Sequence, residues 1–203
     1  MVARERENIR ASHLREKFYI PKGVSPEEEL TEHHRADHFG RVLALSVPLF
    51  QKLQRAGTGV TWEYDFQVMG WFSVLHDAFL RKNNYDHHGT LAAYYVMNRE
   101  RSPVPTNLRQ VTALAIYQHV PRDPDGGLPF ISRVCKDLDA LDRARLSDEK
   151  YKLKPSYLRL SVSHNLIFTA QQLYDKSQEF INNGWNRFDG AIEAAVELGI
   201  LAK

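Results

Sequence analysis

The sequence predicts an all-α fold built as a single-domain helical bundle, and three observations carry that prediction. Apolar residues recur at steps of three and four through nearly the whole chain, strict apolar–polar alternation is scarce, and no repeat of roughly 20–50 residues marks a solenoid. The length of 203 residues fits one domain, given a prior of roughly 100–200 residues each. Residues 1–24 read as an N-terminal extension and 25–203 as the helical domain. Within that domain, 34–146 carries the polar residues of interest and 155–201 supplies packing helices.

In the extension, Phe18, Tyr19 and Ile20 are expected to fold back as a short cover. Ser25, Pro26 and Glu28 then open a helix. Ser25 can cap free amides, Pro26 loses nothing at the first helical position, and Glu28 completes a capping box. That helix is expected to run to about Arg55 with an inward stripe of His34, His38, Val42, Leu45, Leu49 and Leu53. Pro48 should interrupt and kink it.

The next helix, about Tyr64 to Leu80, is apolar on nearly every side and belongs in the core, yet it carries His76 and Asp77 near its end. A polar loop over Arg81–Asp86 leads to His87, His88 and Gly89, followed by a helix containing Leu91, Ala92, Tyr95 and Val96. A further helix from about Thr106 places Leu108, Val111, Ala115 and His119 on one face. The turn-forming run from Pro121 to Gly127 separates it from a helix over Phe130 to Leu146, where Cys135, Asp139, Asp142 and Leu146 align. Two last helices, around Tyr157 to Asn182 and Trp185 to Leu201, break at Gly184 and read as packing.

Composition excludes several classes of function. The 27 Lys and Arg nearly balance 25 Asp and Glu, for a formal charge of +2, so nucleic acid is not an expected partner. The one cysteine, Cys135, can form neither an intramolecular disulfide nor a thiolate zinc cage. Met1 to Arg10 lack the apolar core of a signal peptide, and no stretch approaches about 18 consecutive apolar residues. The expectation is a cytoplasmic protein with no membrane partner.

Several helices thus each deliver an inward polar group: His38, then His76 with Asp77, then His119, then Asp139, with His88 opening a further element. Unpaired, such groups are costly to bury, and a shared cation is one remedy. A set of imidazoles and carboxylates without thiolates suits Fe, Mn, Ni, Co or Zn better than Ca or Mg.

Read in order, His38 within His-Phe-Gly-Arg-Val, the doublet His76–Asp77, and Asp139 within Lys-Asp-Leu-Asp-Ala-Leu-Asp-Arg resemble the HD-domain metal-dependent phosphohydrolases. Their signature is His, His-Asp, Asp on a helical bundle. The resemblance spans about 34–146 and extends to His88–Gly89 with Ala92 and Ala93, and to His119. It implies one or two divalent transition ions per chain. His38, His76, Asp77 and Asp139 would hold the first, and His88 and His119 a second, with Asp77 bridging.

Asp139 aligns with the family's final aspartate, while Asp137 and Asp142 stay open as alternatives, as does His87 beside His88. The basic residue that often follows the doublet closely is displaced here to Arg81 and Lys82, which join Arg122 and Arg143 as candidates for gripping phosphate. The implied activity is hydrolysis of a small phosphoester, foremost a nucleotide or cyclic nucleotide, by metal-activated water. Two alternatives remain: a di-iron oxygenase with the same ligand order, and a regulatory module without turnover.

Bland readings apply elsewhere. Cys135 reads as a small buried apolar residue, His13, His33 and His164 as carrying no site, and Tyr94 and Tyr95 as packing. Asp86 and Asp142 could orient ligands through outer hydrogen bonds.

Overall fold

The computed structural model describes residues 9–21, 36–81, 87–120, 122–146 and 152–203. The helix start at Ser25–Glu28, together with His33, His34, Lys82 and Asp86, lies outside the described residues. Among the described residues the fold is all-α, with one isolated backbone bridge between Arg10 and Ala202.

Helix α1 (Ala11–Lys17) lies within the N-terminal extension, where the sequence predicted only a short cover. Seven residues are too few to register a period, and tertiary contacts hold the segment in place. Ala11 N–H donates to the Ala202 carbonyl and Ala202 N–H to the Ile9 carbonyl, each at 2.9 Å. Phe18 is fully buried, edge-on to Trp71 at 5.4 Å and to Phe66 at 6.1 Å. Burying a phenylalanine is worth about 1.5–3 kcal/mol, enough to dock this cover.

Helix α2 (Ala36–Arg55) is the central element. Asp37 to Val47 are buried without a break, so neighbours enclose the helix on every side. It packs chiefly against α9 (Arg187–Glu197) and α3 (Gln67–Leu75). A Cβ on Gly40 would stand 2.8 Å from Ala191 Cβ and 2.9 Å from the Phe188 carbonyl, so the α2–α9 crossing requires glycine there. Pro48 does not end the helix, contrary to the expected interruption. Burial of Val47, Leu49, Phe50 and Leu53 around it outweighs one missing ladder donor.

A π-helical turn, Trp62–Phe66, leads into α3, which stops at Leu75 rather than near Leu80. His76 N–H still bonds the Phe72 carbonyl, but Ala78 N–H turns to Leu75 and Leu80 N–H to Asp77. The backbone thus tightens from four-residue to three-residue bonding at the His-Asp doublet.

Helix α4 (His88–Met97) packs on α5 (Arg109–His119), and α5 packs on α6 (Phe130–Asp142). The expected single helix from Tyr157 is instead split into a short 3₁₀ turn, α7 (Ser161–His164) and α8 (Ile167–Asn182). The buried carboxylate of Asp137 accepts the Arg159 and Leu160 amides at 2.8 and 2.9 Å, tying that backbone to α6. Helix α9 starts at Asn186, whose side chain accepts the Phe188 and Asp189 amides. One continuous apolar core joins α1 through α9. Tyr95 faces Phe79 at 5.3 Å as expected, but Tyr94 is 73% exposed, because α4 turns that side to solvent. No helix among the described residues is long and apolar enough to cross a membrane.

Candidate metal centre

Five elements bring six side chains to one place: the first turn of α2, the turn after α3, the start of α4, the end of α5, and α6. In the first group, His38 Nε2 lies 3.0 Å from His76 Nε2, 3.6 Å from Asp77 Oδ2 and 3.5 Å from Asp139 Oδ1. His76 Nε2 lies 3.6 Å from the same two carboxylate oxygens. In the second group, Asp77 Oδ1 stands 3.0 Å from His88 Nε2 and 3.2 Å from His119 Nε2, and those nitrogens are 3.1 Å apart. Asp77 thus offers one oxygen to each group.

The donors form two groups that could each hold a metal ion. Ligands about 2.1 Å from one ion sit about 3.0–3.4 Å apart for octahedral or tetrahedral angles. Contacts of 3.5–3.6 Å are too long for hydrogen bonds. The ring tautomers add a stronger argument. His38 Nδ1 donates to Asp142 at 2.7 Å, His76 Nδ1 to the Phe72 carbonyl at 3.1 Å, and His119 Nδ1 to the Ile116 carbonyl. In neutral rings Nε2 then carries only a lone pair, so His38 and His76 aim two lone pairs at each other across 3.0 Å. Only a shared proton or a cation makes that contact favourable.

The electrostatics agree. Burial, set against Asp142 and helped by His76, leaves His38 below the usual histidine range; His119 is likewise lowered, mainly by burial. Both are neutral, as ligands must be. Burial opposes charge on His76 too, but the nearby carboxylates of Asp77 and then Asp139 raise it to about 9. Burial pushes the Asp139 carboxyl up, yet His76, Arg143 and His38 together hold it well below the carboxylate range. The cluster therefore calls for positive charge.

No protein-family model matches the chain. No curated protein and no solved structure matches it at a significant level either.

The geometry separates the alternatives that sequence left open. His88 is buried and reaches Asp77, whereas His87 is exposed. Asp139 faces His38 and His76. Asp142 stands behind His38, and Asp137 holds the backbone at Arg159. His13 and His164 are exposed. Of the basic candidates, Arg143 lies near enough for its charge to act on Asp139. Arg81 donates to the Leu80 carbonyl at 2.7 Å, Arg122 is exposed, and Lys82 is outside the described residues.

Sequence reasoning missed Arg41. It is 1% exposed and donates to Asp142 through Nε at 2.6 Å and Nη2 at 3.1 Å, and to Asp37 through Nη1 at 2.7 Å. The signal was present: Arg41 follows His38 by three residues and so shares its buried face.

Proposed function

We propose that the chain is a metal-dependent phosphohydrolase of the HD-domain type, acting on a small phosphoester, foremost a nucleotide or cyclic nucleotide. The observation that carries this reading is Asp77 standing between two groups of inward-facing, buried imidazole nitrogens. His38, His76, Asp77 and Asp139 would hold one ion, and Asp77, His88 and His119 the other. The imidazole–carboxylate set suits Fe, Mn, Ni, Co or Zn. A bound ion there supplies an acidified water and draws charge from a phosphoryl oxygen.

The chain's own residues do the rest. Asp139 is the most open of the six, its side chain 18% exposed against 6% or less for the others, so water and substrate reach the centre from the α6 side. Arg143, one residue beyond α6, adds positive charge on that side and can grip phosphate oxygens. Arg81 and Lys82 are carried into this role by the family resemblance alone. The buried rings of Phe39 and Phe72 flank His76 and keep bulk water from the inner face of the cluster.

The test is elemental analysis of wild type, Asp77→Ala and His119→Ala, run beside a nucleotide and phosphoester panel. Wild type should hold two transition ions and release phosphate, His119→Ala should hold one, and Asp77→Ala should lose both metal and turnover. A metal-loaded wild type that hydrolyses nothing in the panel overturns the hydrolase reading. Oxygen uptake by an iron-loaded form would replace it with dioxygen activation. Protein that takes up no metal would leave a regulatory module.

A further inference from the structure

We propose that Arg41 and Asp142 are a positioning pair that aims His38 and makes the His38–His76–Asp77–Asp139 position the tighter of the two metal positions. This rests on the metal-centre reading above and extends it to residues one layer further out.

Asp142, 1% exposed, receives four N–H donors. His38 Nδ1 binds Oδ2 at 2.7 Å, Arg41 binds Oδ1 at 2.6 Å and Oδ2 at 3.1 Å, and Arg145 Nη1 binds Oδ2 at 2.6 Å. The planar guanidinium of Arg41 meets the carboxylate through two parallel bonds and so fixes its plane as well as its place. With that plane set, the His38 ring cannot flip without losing its Nδ1 bond, and Nε2 stays turned to the cluster.

Arg41 is itself held from three helices. Its Nη1 bonds Asp37 one turn earlier on α2, and its guanidinium lies 5.2 Å from the centre of the Tyr174 ring on α8, while α6 supplies Asp142. Taking a guanidinium fully out of water costs several kcal/mol before its partners compensate, and an apolar side chain would fill the space at lower cost. A role in aiming His38 accounts for the charge.

His38 differs from His76 and His119 in what stands behind its ring. His38 is backed by a full negative charge, whereas His76 and His119 are backed by main-chain carbonyls. A carboxylate behind an imidazole raises its basicity as a ligand. Among the described residues, the His38 position also counts two carboxylates, Asp77 and Asp139, while the group with His88 and His119 counts Asp77.

Titrating metal-depleted protein with Co²⁺, read by visible absorption, tests the pair. Wild type should bind two ions with unequal affinity. Asp142→Asn should weaken the tighter step by about 10–100-fold and leave the weaker one in place. His119→Ala should do the opposite, and Arg41→Lys should follow Asp142→Asn. If Asp142→Asn leaves both steps unchanged, or lowers both equally along with the melting temperature, the pair is merely structural and the proposal falls. If wild type binds no Co²⁺, the metal-centre reading falls and takes this one with it. Ring ¹⁵N shifts of wild type loaded with Zn²⁺ keep the proposal testable should Asp142→Asn fail to fold. His38 should be metallated at Nε2 and protonated at Nδ1, and the reverse would overturn it.

Discussion

Two residues one turn apart on α6 show how environment decides chemistry at the residue scale. Burial draws Asp139 upward, but His76, Arg143 and His38 hold its carboxyl well below the usual carboxylate range. Cys135, one turn earlier and fully buried, has no such company, and burial raises its thiol well above the usual range. Cys135 should therefore resist iodoacetamide in the native protein at neutral pH and react once per chain after unfolding. Rapid labelling of folded protein would show that the α6 core opens. The burial of Cys135 was legible from one sequence, because a lone cysteine without a matching base in an established motif reads as a small apolar residue. The choice among Asp137, Asp139 and Asp142 was not, since all three lie on one helix and only distant partners distinguish them.

The segment joining α5 to α6 follows His119, and the Asp123 carboxylate pins it. Asp123 accepts Arg159 Nε at 2.7 Å and Arg159 Nη2 at 3.0 Å, and pairs with Lys136 Nζ at 2.8 Å. The Arg159 hydrogen bond, opposed by burial and aided by Lys136, lowers the Asp123 carboxyl from 3.8 to about 2. A folded value below the unfolded one adds stability above about pH 4, lost as pH falls through about 2. Asp123→Asn should thus be less stable than wild type at neutral pH. The gap is about 1 kcal/mol or less, because the carboxylate is more than one-third exposed and screened by solvent. Urea unfolding at about pH 7 and about pH 2 checks this: the gap should close in acid, and an equal gap at both would assign it to packing instead.

The candidate metal centre gathers residues from five elements spread over 102 positions, from His38 to Asp139. An ion bound there would tie α2, α4, α5, α6 and the turn after α3 into one unit and oppose global unfolding. Binding that favours the folded state adds about 2.7 kcal/mol per site when free metal is 100 times its dissociation constant. Mn²⁺ or Zn²⁺ should therefore raise the melting temperature of wild type, chelator should reverse the rise, and Asp77→Ala should respond to neither. A wild-type transition indifferent to both would separate these six residues from stability.

What the sequence determined by itself is the all-α class and the order in which inward histidines and aspartates occur, because helical periodicity is a local property written every three or four residues. Only the tertiary structure decided the short α1 helix, the early end of α3 at the His-Asp doublet and the splitting of the helix predicted from Tyr157. It likewise decided the pairing of Arg41 with Asp142, 101 residues away. Three of these depend on a partner far along the chain: Ala202 for α1, Asp137 for the split, and α6 for Arg41. Local propensity is silent about such partners, and burial of charge makes sense only once the group that compensates it is in place.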